Sequence, residues 1–187
     1  MNPDDPSGVY YRPMELLTRQ QTNWMDHFTR LGKMQEYEIN LSGGSQRTKY
    51  YSSISYHDNE GVFYGVDFQK MQARINADHE LNNQWKTGVR INAGYMYGED
   101  VPMQDLYYAN PAFAGITILP WTPAYNEDGS HNTLIPENSN NNPRATAIYD
   151  EQWEKQYRFN GSFYLEYKPI KGSTLKTPNA AELNFTE

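Results

Sequence analysis

The sequence predicts an all-β chain of antiparallel, up-and-down strands that form part of a transmembrane β-barrel, preceded by a short N-terminal helix or coil. Two observations carry this prediction. Apolar and polar residues alternate over several segments, which is the pattern of a strand with two different faces. The connections between these segments are short, medium, short, very long and short in order, and outer-membrane barrels have the same asymmetry.

The composition excludes several classes of protein. The 187 residues include no cysteine, so a disulfide framework, a thiolate metal site and a thiol nucleophile are excluded. The formal net charge of -7 argues against nucleic acid as a partner. The sequence has no apolar run of about 18 residues, which excludes a helical membrane protein. A membrane β-barrel is compatible with the mean hydropathy of -0.89, because its apolar residues occupy alternate positions.

Residues 1–34 form the predicted N-terminal lead-in. Three prolines within residues 1–13 indicate coil. The apolar residues of 15–32 then have roughly helical spacing, at Leu16, Leu17, Trp24 and Phe28. We therefore expect a short helix or an irregular segment there.

Residues 35–97 hold the first four predicted strands. Apolar residues share one face of the first two strands, at Tyr37, Ile39, Leu41, Tyr50, Ile54 and Tyr56. The intervening "SGGSQRT" is predicted to be a hairpin turn, because it lacks the Gly-Lys-Ser/Thr ending of a phosphate-binding loop. Residues 70–78 and 85–97 alternate most cleanly, and the short turn "HELNNQ" joins them.

The second half of the chain contains one very long connection and two further strands. Residues 98–152 lose all periodicity and are rich in Pro, Asn, Gly and Asp, which predicts a long extracellular loop. Residues 153–187 hold barrel strands 5 and 6. The sixth strand begins at Thr174 and is expected to be incomplete, because Pro178 interrupts it.

In a barrel that spans a bilayer, the two faces of these strands have different surroundings. The apolar face would meet lipid, with aromatic girdles at both interfaces formed by Trp85, Tyr95, Tyr97, Tyr157 and Tyr167. The polar face would line a wet lumen through Arg74, Arg90, Asn92 and Arg158. We expect such arginines to pair with acids before they touch a solute. The alternative is a soluble β-sandwich with an ordinary core, although a 55-residue loop argues against it.

Residues 22 to 78 resemble the first barrel segment of the SusC/RagA-like TonB-dependent outer-membrane transporters. The matching elements are Thr22-Asn23-Trp24 with Asp26, Gln35, "LSGG" at 41–44, Tyr50 with Ser53, the run from Tyr56 to Gly61, Asp67-Phe68, and Arg74 to Asp78. Farther along, "ILPWTPAYNEDGS" is similar to the first long loop of that family. Such a combination in order is far more specific than any single motif.

The resemblance implies a barrel of about 22 strands in the outer membrane of a Gram-negative bacterium. It also implies import of oligosaccharides or peptides, a SusD-like surface lipoprotein that caps the barrel, and energy supplied through TonB. A signal peptide, a TonB-interacting segment and a plug domain are not evident in the sequence. We therefore expect a fragment of a longer chain that covers about the first six strands and is inactive alone.

Aromatic residues of the long connection are the candidate ligand contacts. Sugars bind by stacking on aromatic rings while amides and acids take their hydroxyls, and both residue types are present here. The candidates are Tyr107, Tyr108, Trp121, Tyr125 and Trp153. Packing of the loop on itself or on a partner lipoprotein explains the same residues equally well.

No catalytic residue, metal site or cofactor is predicted. The four histidines, His27, His57, His79 and His131, are scattered without metal-ligand spacing. Solvated turns explain the possible calcium ligands Asp58, Glu60, Glu127 and Asp128 better than a calcium loop does. Nothing sets the separation that glycoside hydrolysis would require among Asp105, Glu127, Asp150 and Glu151. The alternative functions are a soluble or surface-attached glycan-binding β-domain and, more weakly, a secreted glycosidase module.

Overall fold

A computed structural model describes residues 21–101, 110–135, 142–150 and 152–187. Six strands form one sheet in the order β1-β2-β3-β4-β5-β6, so every strand pairs with its neighbours along the chain. Their bounds are β1 Lys33–Gly44, β2 Thr48–Glu60, β3 Asp67–Glu80, β4 Trp85–Asp100, β5 Gln152–Tyr167 and β6 Leu175–Thr186. The predicted up-and-down order is observed. The first four connections alternate in length as predicted, whereas the fifth, 168–174, is longer than the second, 61–66, and not short as predicted.

The register of the first hairpin follows the alternation of its sequence. Tyr37 lies opposite Tyr56 and Ile39 opposite Ile54, so apolar residues meet across the strands on one face. Ser45 closes the turn, since its Oγ accepts hydrogen bonds from the backbone amides at positions 47 and 48, at 3.3 and 3.2 Å. This turn confirms the predicted hairpin at "SGGSQRT".

The turn between β3 and β4 is held by an asparagine. The side-chain oxygen of Asn82 accepts from the backbone amides of Gln84 and Trp85, at 2.8 and 2.9 Å. Asparagine favours such turns because its short side chain can replace backbone acceptors. The turn therefore starts β4 at Trp85, as the alternation predicted.

The prediction that Pro178 interrupts the sixth strand is wrong. β6 continues to Thr186, and Pro178 lies opposite Tyr164 of β5 within an unbroken register. β6 has a neighbour on one side only in the described sheet, and an edge strand tolerates proline because an outward-facing nitrogen donates no ladder bond.

Within the described ranges, three short helices lie outside the strands: α1 Trp24–Phe28, α2 Pro111–Thr117 and α3 Pro143–Tyr149. α1 agrees with the short helix expected in the lead-in. α2 and α3 modify the prediction of a single irregular loop over 98–152. Each begins with an Asn-Pro pair, in which the asparagine accepts hydrogen bonds from two amides of the first turn and the proline occupies the first helical position.

The described residues form two compact units. The loop unit comprises those within Met1–Gly32, Gly61–Asp67 and Glu99–Gln152, and the sheet unit comprises Lys33–Glu60, Phe68–Gly98 and Trp153–Glu187. Among the described residues, every buried apolar side chain belongs to the loop unit. One cluster gathers Trp24, Ala114, Ile118, Ala124 and Ile135, and a second gathers Phe28, Val101 and Ala147.

The helices of the described residues are short. None of them has the length and apolar character needed to cross a membrane.

Candidate functional site

The sheet unit has one apolar face, and that face is exposed. Ile39 is 71% exposed, Tyr37 60% and Phe163 49%, although such residues form the core of a water-soluble sheet. The face continues onto β6, where Leu183 lies opposite Phe159 and Phe185 opposite Tyr157. An apolar surface that extends over several strands marks an interaction site with protein or membrane.

Two aromatic pairs bound this face at opposite ends of β4 and β5. The Trp85 and Tyr167 rings stack at 4.2 Å between centroids, and the Tyr95 and Tyr157 rings lie 5.2 Å apart. Ten residues along β4 correspond to about 33 Å of strand. At a tilt of about 45°, that length rises by roughly 23 Å, close to the apolar band of about 25 Å in outer-membrane barrels. Tyr97 lies two residues beyond Tyr95 on the same strand.

The opposite face is polar, and it brings three of the four predicted lumen residues together. Arg74, Asn92 and Arg158 line one cavity of about 440 Å³. The Arg74 Nε donates a 2.9 Å hydrogen bond to the side-chain oxygen of Asn92 on the next strand. Glu36, Glu38 and Lys70 line the same cavity, so charges of both signs face it.

Arg90, the fourth predicted lumen residue, is paired with an acid. Its Nη2 donates to both carboxylate oxygens of Asp78 on β3, at 2.9 and 2.8 Å. The expectation that a barrel arginine pairs with an acid of a neighbouring strand is met at this position, whereas Arg74 is bonded to an amide instead.

The predicted ligand contacts fall in different parts of the structure. Trp121 and Tyr125 lie in the loop unit, whereas Trp153 belongs to β5, next to Lys155, whose ammonium lies 4.6 Å from the indole. Tyr107 and Tyr108 lie outside the described residues. Trp153 is therefore a strand residue, in agreement with the predicted start of the fifth strand at 153, although it was also grouped with the aromatic residues of the long connection.

Tyr125 forms part of a small aromatic cluster with two histidines. Its ring centroid lies 5.5 Å from that of His27 and 5.1 Å from that of His131, and the Tyr125 side chain is 44% exposed. Burial lowers the pKa of His131 below its ordinary value of 6.5, and the positive charges of Arg144 and His27 lower it further. The Nδ1 of His131 is buried without a hydrogen-bond partner among the described residues. The cluster thus favours a neutral imidazole.

The acidic residues considered as possible calcium ligands are engaged in local structure where they are described. Asp128 accepts hydrogen bonds from the amide and the hydroxyl of Ser130, at 2.9 and 2.6 Å, and these bonds lower its pKa. Asp58 lies opposite Gln35 and Glu60 opposite Lys33 in the first hairpin. Within the described ranges, no group of three histidine, aspartate or glutamate side chains could hold a metal ion.

Two known receptors resemble the chain in sequence, although no family model matches it. The chain is 30% identical over 169 residues to TonB-dependent receptor P26 of Formosa agariphila, which covers 89% of this chain and 15% of that receptor. It is 28% identical over 167 residues to TonB-dependent receptor P3 of the same organism, which covers 83% of this chain and 16% of that receptor.

Solved structures share the fold. The RagAB peptide importer in its 'closed-closed' state matches with a TM-score of 0.74 at 21% identity, over 90% of this chain and 19% of that chain. The 'open-open' state gives a TM-score of 0.75 at 20% identity and the same coverage. The predicted resemblance to the SusC/RagA-like TonB-dependent transporters is confirmed.

The match also confirms the predicted fold class, all-β with antiparallel up-and-down strands, because the six-stranded sheet is similar to part of the fold of these solved structures. The segment is a small part of the relatives, since the chain spans 15% and 16% of the lengths of the two receptors. These relatives are named as receptors and importers, and none of them as an enzyme.

Sequence reasoning missed one polar network in this SusC/RagA-like segment. The Tyr164 hydroxyl on β5 donates a 2.6 Å hydrogen bond to the Asp78 carboxylate that Arg90 also binds. Lys176 adds a cation over the Tyr164 ring, 4.2 Å from the centroid. The available signal was a tyrosine on the polar face of β5, where the alternation otherwise places small, amide and charged residues.

Proposed function

We propose that this chain forms part of the barrel wall of an outer-membrane TonB-dependent importer, with its apolar face toward lipid and its polar face toward the lumen. The observation that carries the proposal is an exposed apolar face bounded by two aromatic pairs, Trp85 with Tyr167 and Tyr95 with Tyr157. Aromatic rings concentrate at membrane interfaces because one part of the ring is apolar and its polar atom is wet.

The electrostatics of the two faces support this orientation. An unpaired arginine in a hydrocarbon layer is costly, so lipid-facing strands place their charges inward. In the described sheet, Arg74, Arg90 and Arg158 all lie on the polar face, and Arg90 is bound by a carboxylate. A wet lumen would accept these groups, whereas the apolar face offers them no partner.

The loop unit would form part of the substrate vestibule on the outer side of the membrane. Trp121 and Tyr125 are its described candidates for contact with a solute, and Tyr125 is exposed. The solute class is an oligosaccharide or a peptide, and the structural relative RagAB is named a peptide importer. In the whole transporter, a SusD-like surface lipoprotein would cap the barrel and TonB would supply energy.

A pair of single-cysteine variants tests the orientation, because the natural chain has no cysteine. Ile75→Cys and Asn76→Cys are neighbours on β3 that point to opposite faces. Each variant carries an environment-sensitive fluorophore in detergent micelles that contain a nitroxide-labelled fatty acid. We expect a blue-shifted, strongly quenched label at position 75 and a wet, iodide-accessible label at position 76.

Two results would contradict the proposal. Equal quenching of both labels by the nitroxide would mean that the apolar face is not in contact with the micelle interior. A monodisperse, sharply melting monomer in plain buffer would mean that this face is a buried core, and it would favour the soluble glycan-binding β-domain instead.

A further inference from the structure

A second cavity, of about 160 Å³, lies entirely within the loop unit. Its wall includes the Arg144 guanidinium, the Tyr64 ring and the acidic residues Glu99 and Asp100. The volume corresponds to about five water molecules at roughly 30 Å³ each, which is the size of one end of a small solute. The cavity therefore suits a single polar group and its immediate neighbours, not a whole oligomer.

The guanidinium of Arg144 is held in place by stacking, but its N–H groups have no hydrogen-bond acceptor among the described residues. Its Cζ lies 3.3 Å from the centroid of the Tyr64 ring, a stacking distance. Among the described residues, no hydrogen-bond acceptor and no carboxylate is within bonding distance of this guanidinium. Stacking uses the face of the group and leaves the N–H donors around its edge, which are arranged to bind a carboxylate through two parallel hydrogen bonds.

Arg30 also lies near Tyr64, but its guanidinium, unlike that of Arg144, is paired with an acid. Its Cζ lies 5.2 Å from the Tyr64 centroid, but its charge is neutralised by an ion pair with Asp67, and its Nε donates to the Gly61 carbonyl at 3.0 Å. Arg30 therefore has a structural role. Arg144 has no such ion pair among the described residues, and its positive charge contributes to the lowered pKa of His131.

The remaining wall adds a constraint on the ligand. Asp100 accepts a hydrogen bond from the Val101 amide at 2.8 Å and presents a carboxylate to the same cavity. A simple anion would be repelled by Asp100 and by Glu99, which lines the same cavity. A ligand with a carboxylate at one end and hydrogen-bond donors beside it would satisfy both Arg144 and Asp100.

We propose that Arg144, stacked on Tyr64, binds the carboxylate of a solute that carries hydrogen-bond donors next to that carboxylate. Two sources share this chemistry: the end of a peptide, with its amide or ammonium, and a sugar acid, with its hydroxyls. The inference rests on the proposed importer function and deepens it, because it names an acidic group of the imported solute and a residue that recognises it.

The test measures dissociation constants by titration calorimetry for the full 187-residue chain in detergent micelles. The probes are alanylalanine and glucuronate, each with an uncharged counterpart, alanylalanine amide and glucose. We expect at least one acid to bind at least about tenfold more tightly than its counterpart, which corresponds to roughly 1.4 kcal/mol. The acid that binds distinguishes the peptide source from the sugar source.

Variants assign the binding to Arg144. Arg144→Gln should weaken the acid about tenfold, and Arg144→Lys should weaken it several-fold, because an ammonium keeps the charge but cannot form two parallel bonds. The matched control is Arg47→Gln, which removes the same charge from the exposed β1–β2 turn of the sheet unit and should leave the dissociation constant unchanged. Tryptophan fluorescence monitors folding of each variant, with Trp24 and Trp121 in the loop unit and Trp85 and Trp153 in the sheet unit.

Three outcomes would overturn the proposal: equal binding of acids and counterparts, no binding of either acid, or an Arg144→Gln constant within twofold of the natural chain. The fluorophore at position 75 is read in the same micelles. A lipid-exposed label without acid binding overturns this inference alone, whereas acid binding without a lipid-exposed label overturns the importer proposal and leaves the site in place.

Discussion

The hydroxyl of Tyr164 on β5 donates a 2.6 Å hydrogen bond to the carboxylate of Asp78 on β3, across the strand that lies between them. The ring passes over Gly88 of β4, where a Cβ atom would lie 2.7 Å from the Tyr164 Cζ and would overlap the Asp78 Oδ1. Arg90 of β4 donates hydrogen bonds to the same carboxylate. The Asp78 carboxylate therefore links three strands on the polar face, through its bonds to Tyr164 of β5 and Arg90 of β4.

Substitution of Gly88 by alanine should destabilise the sheet by about 1–3 kcal/mol, the usual cost of overpacking a close contact. The matched control is Gly94→Ala on the same strand and face, where the nearest atoms lie 3.8 and 4.0 Å from the added Cβ. That variant should change stability by less than about 0.5 kcal/mol. Urea unfolding in micelles, followed by the far-UV circular dichroism of the sheet, measures both. Equal effects would mean that Tyr164 moves aside freely.

The hydrogen bond itself is tested by Tyr164→Phe and Asp78→Asn. We expect each to cost about 0.5–1.5 kcal/mol, since the groups are only partly buried and solvent screens the charge. The double variant should cost less than the sum of the two, because both changes remove the same bond. Tyr157→Phe, on the apolar face of β5, is the control and should be nearly neutral. Simple additivity would contradict a direct bond.

The strands could be predicted because alternation is a local signal. In "RINAD" or "WKTGVRINAGY", each residue's side depends only on its position along its own strand, so the faces, the hairpin and the antiparallel order all follow. The same locality explains why the network was missed. Tyr164 and Asp78 are separated by 86 residues in the sequence, and no local pattern indicates which residues of three strands lie side by side.

Helices α2 and α3 and the continuation of β6 past Pro178 were not predicted, because the sequence indicates each of them only weakly. Helices α2 and α3 have seven residues each, too few to show a 3.6-residue period, and only their Asn-Pro starts mark them. Pro178 was expected to end β6 because proline usually breaks a sheet. Whether a strand lies at an edge depends on the whole topology, which the local sequence does not contain.

Gly65 should be irreplaceable in the loop unit. Its φ of 78° lies in the left-handed region, and an added Cβ would lie 2.8 Å from the Val101 Cγ1 and 3.2 Å from the Ala147 carbonyl oxygen. Gly65→Ala should therefore cost about 2–4 kcal/mol, through backbone strain and overpacking together. The measurement is urea unfolding followed by the fluorescence of Trp24 and Trp121, both in the loop unit, in a background with Trp85→Phe and Trp153→Phe.

Gly129→Ala is the matched control for Gly65, because its φ is 84° but nothing lies within 4 Å of an added Cβ. Only the backbone strain applies there, about 1–2 kcal/mol. If the two alanine variants lose the same stability, the contacts of Gly65 with Val101 and Ala147 contribute nothing.

Acidification should destabilise the loop unit through His131. Burial, Arg144 and His27 hold the pKa of His131 in the folded state below its ordinary value of 6.5, so the unfolded chain binds a proton more readily. The contribution of the neutral His131 imidazole to the free energy of unfolding is fully present above pH 6.5. It is lost as the pH falls through the lower pKa of the folded state. In the Trp85→Phe and Trp153→Phe background, the urea midpoint from the fluorescence of Trp24 and Trp121 should therefore fall more between pH 7.5 and pH 5 with His131 than with His131→Gln. The two proteins share the titration of the carboxylates, so the difference reports on His131. Parallel losses in the two proteins would mean that His131 is protonated as easily in the folded loop unit as in the unfolded chain.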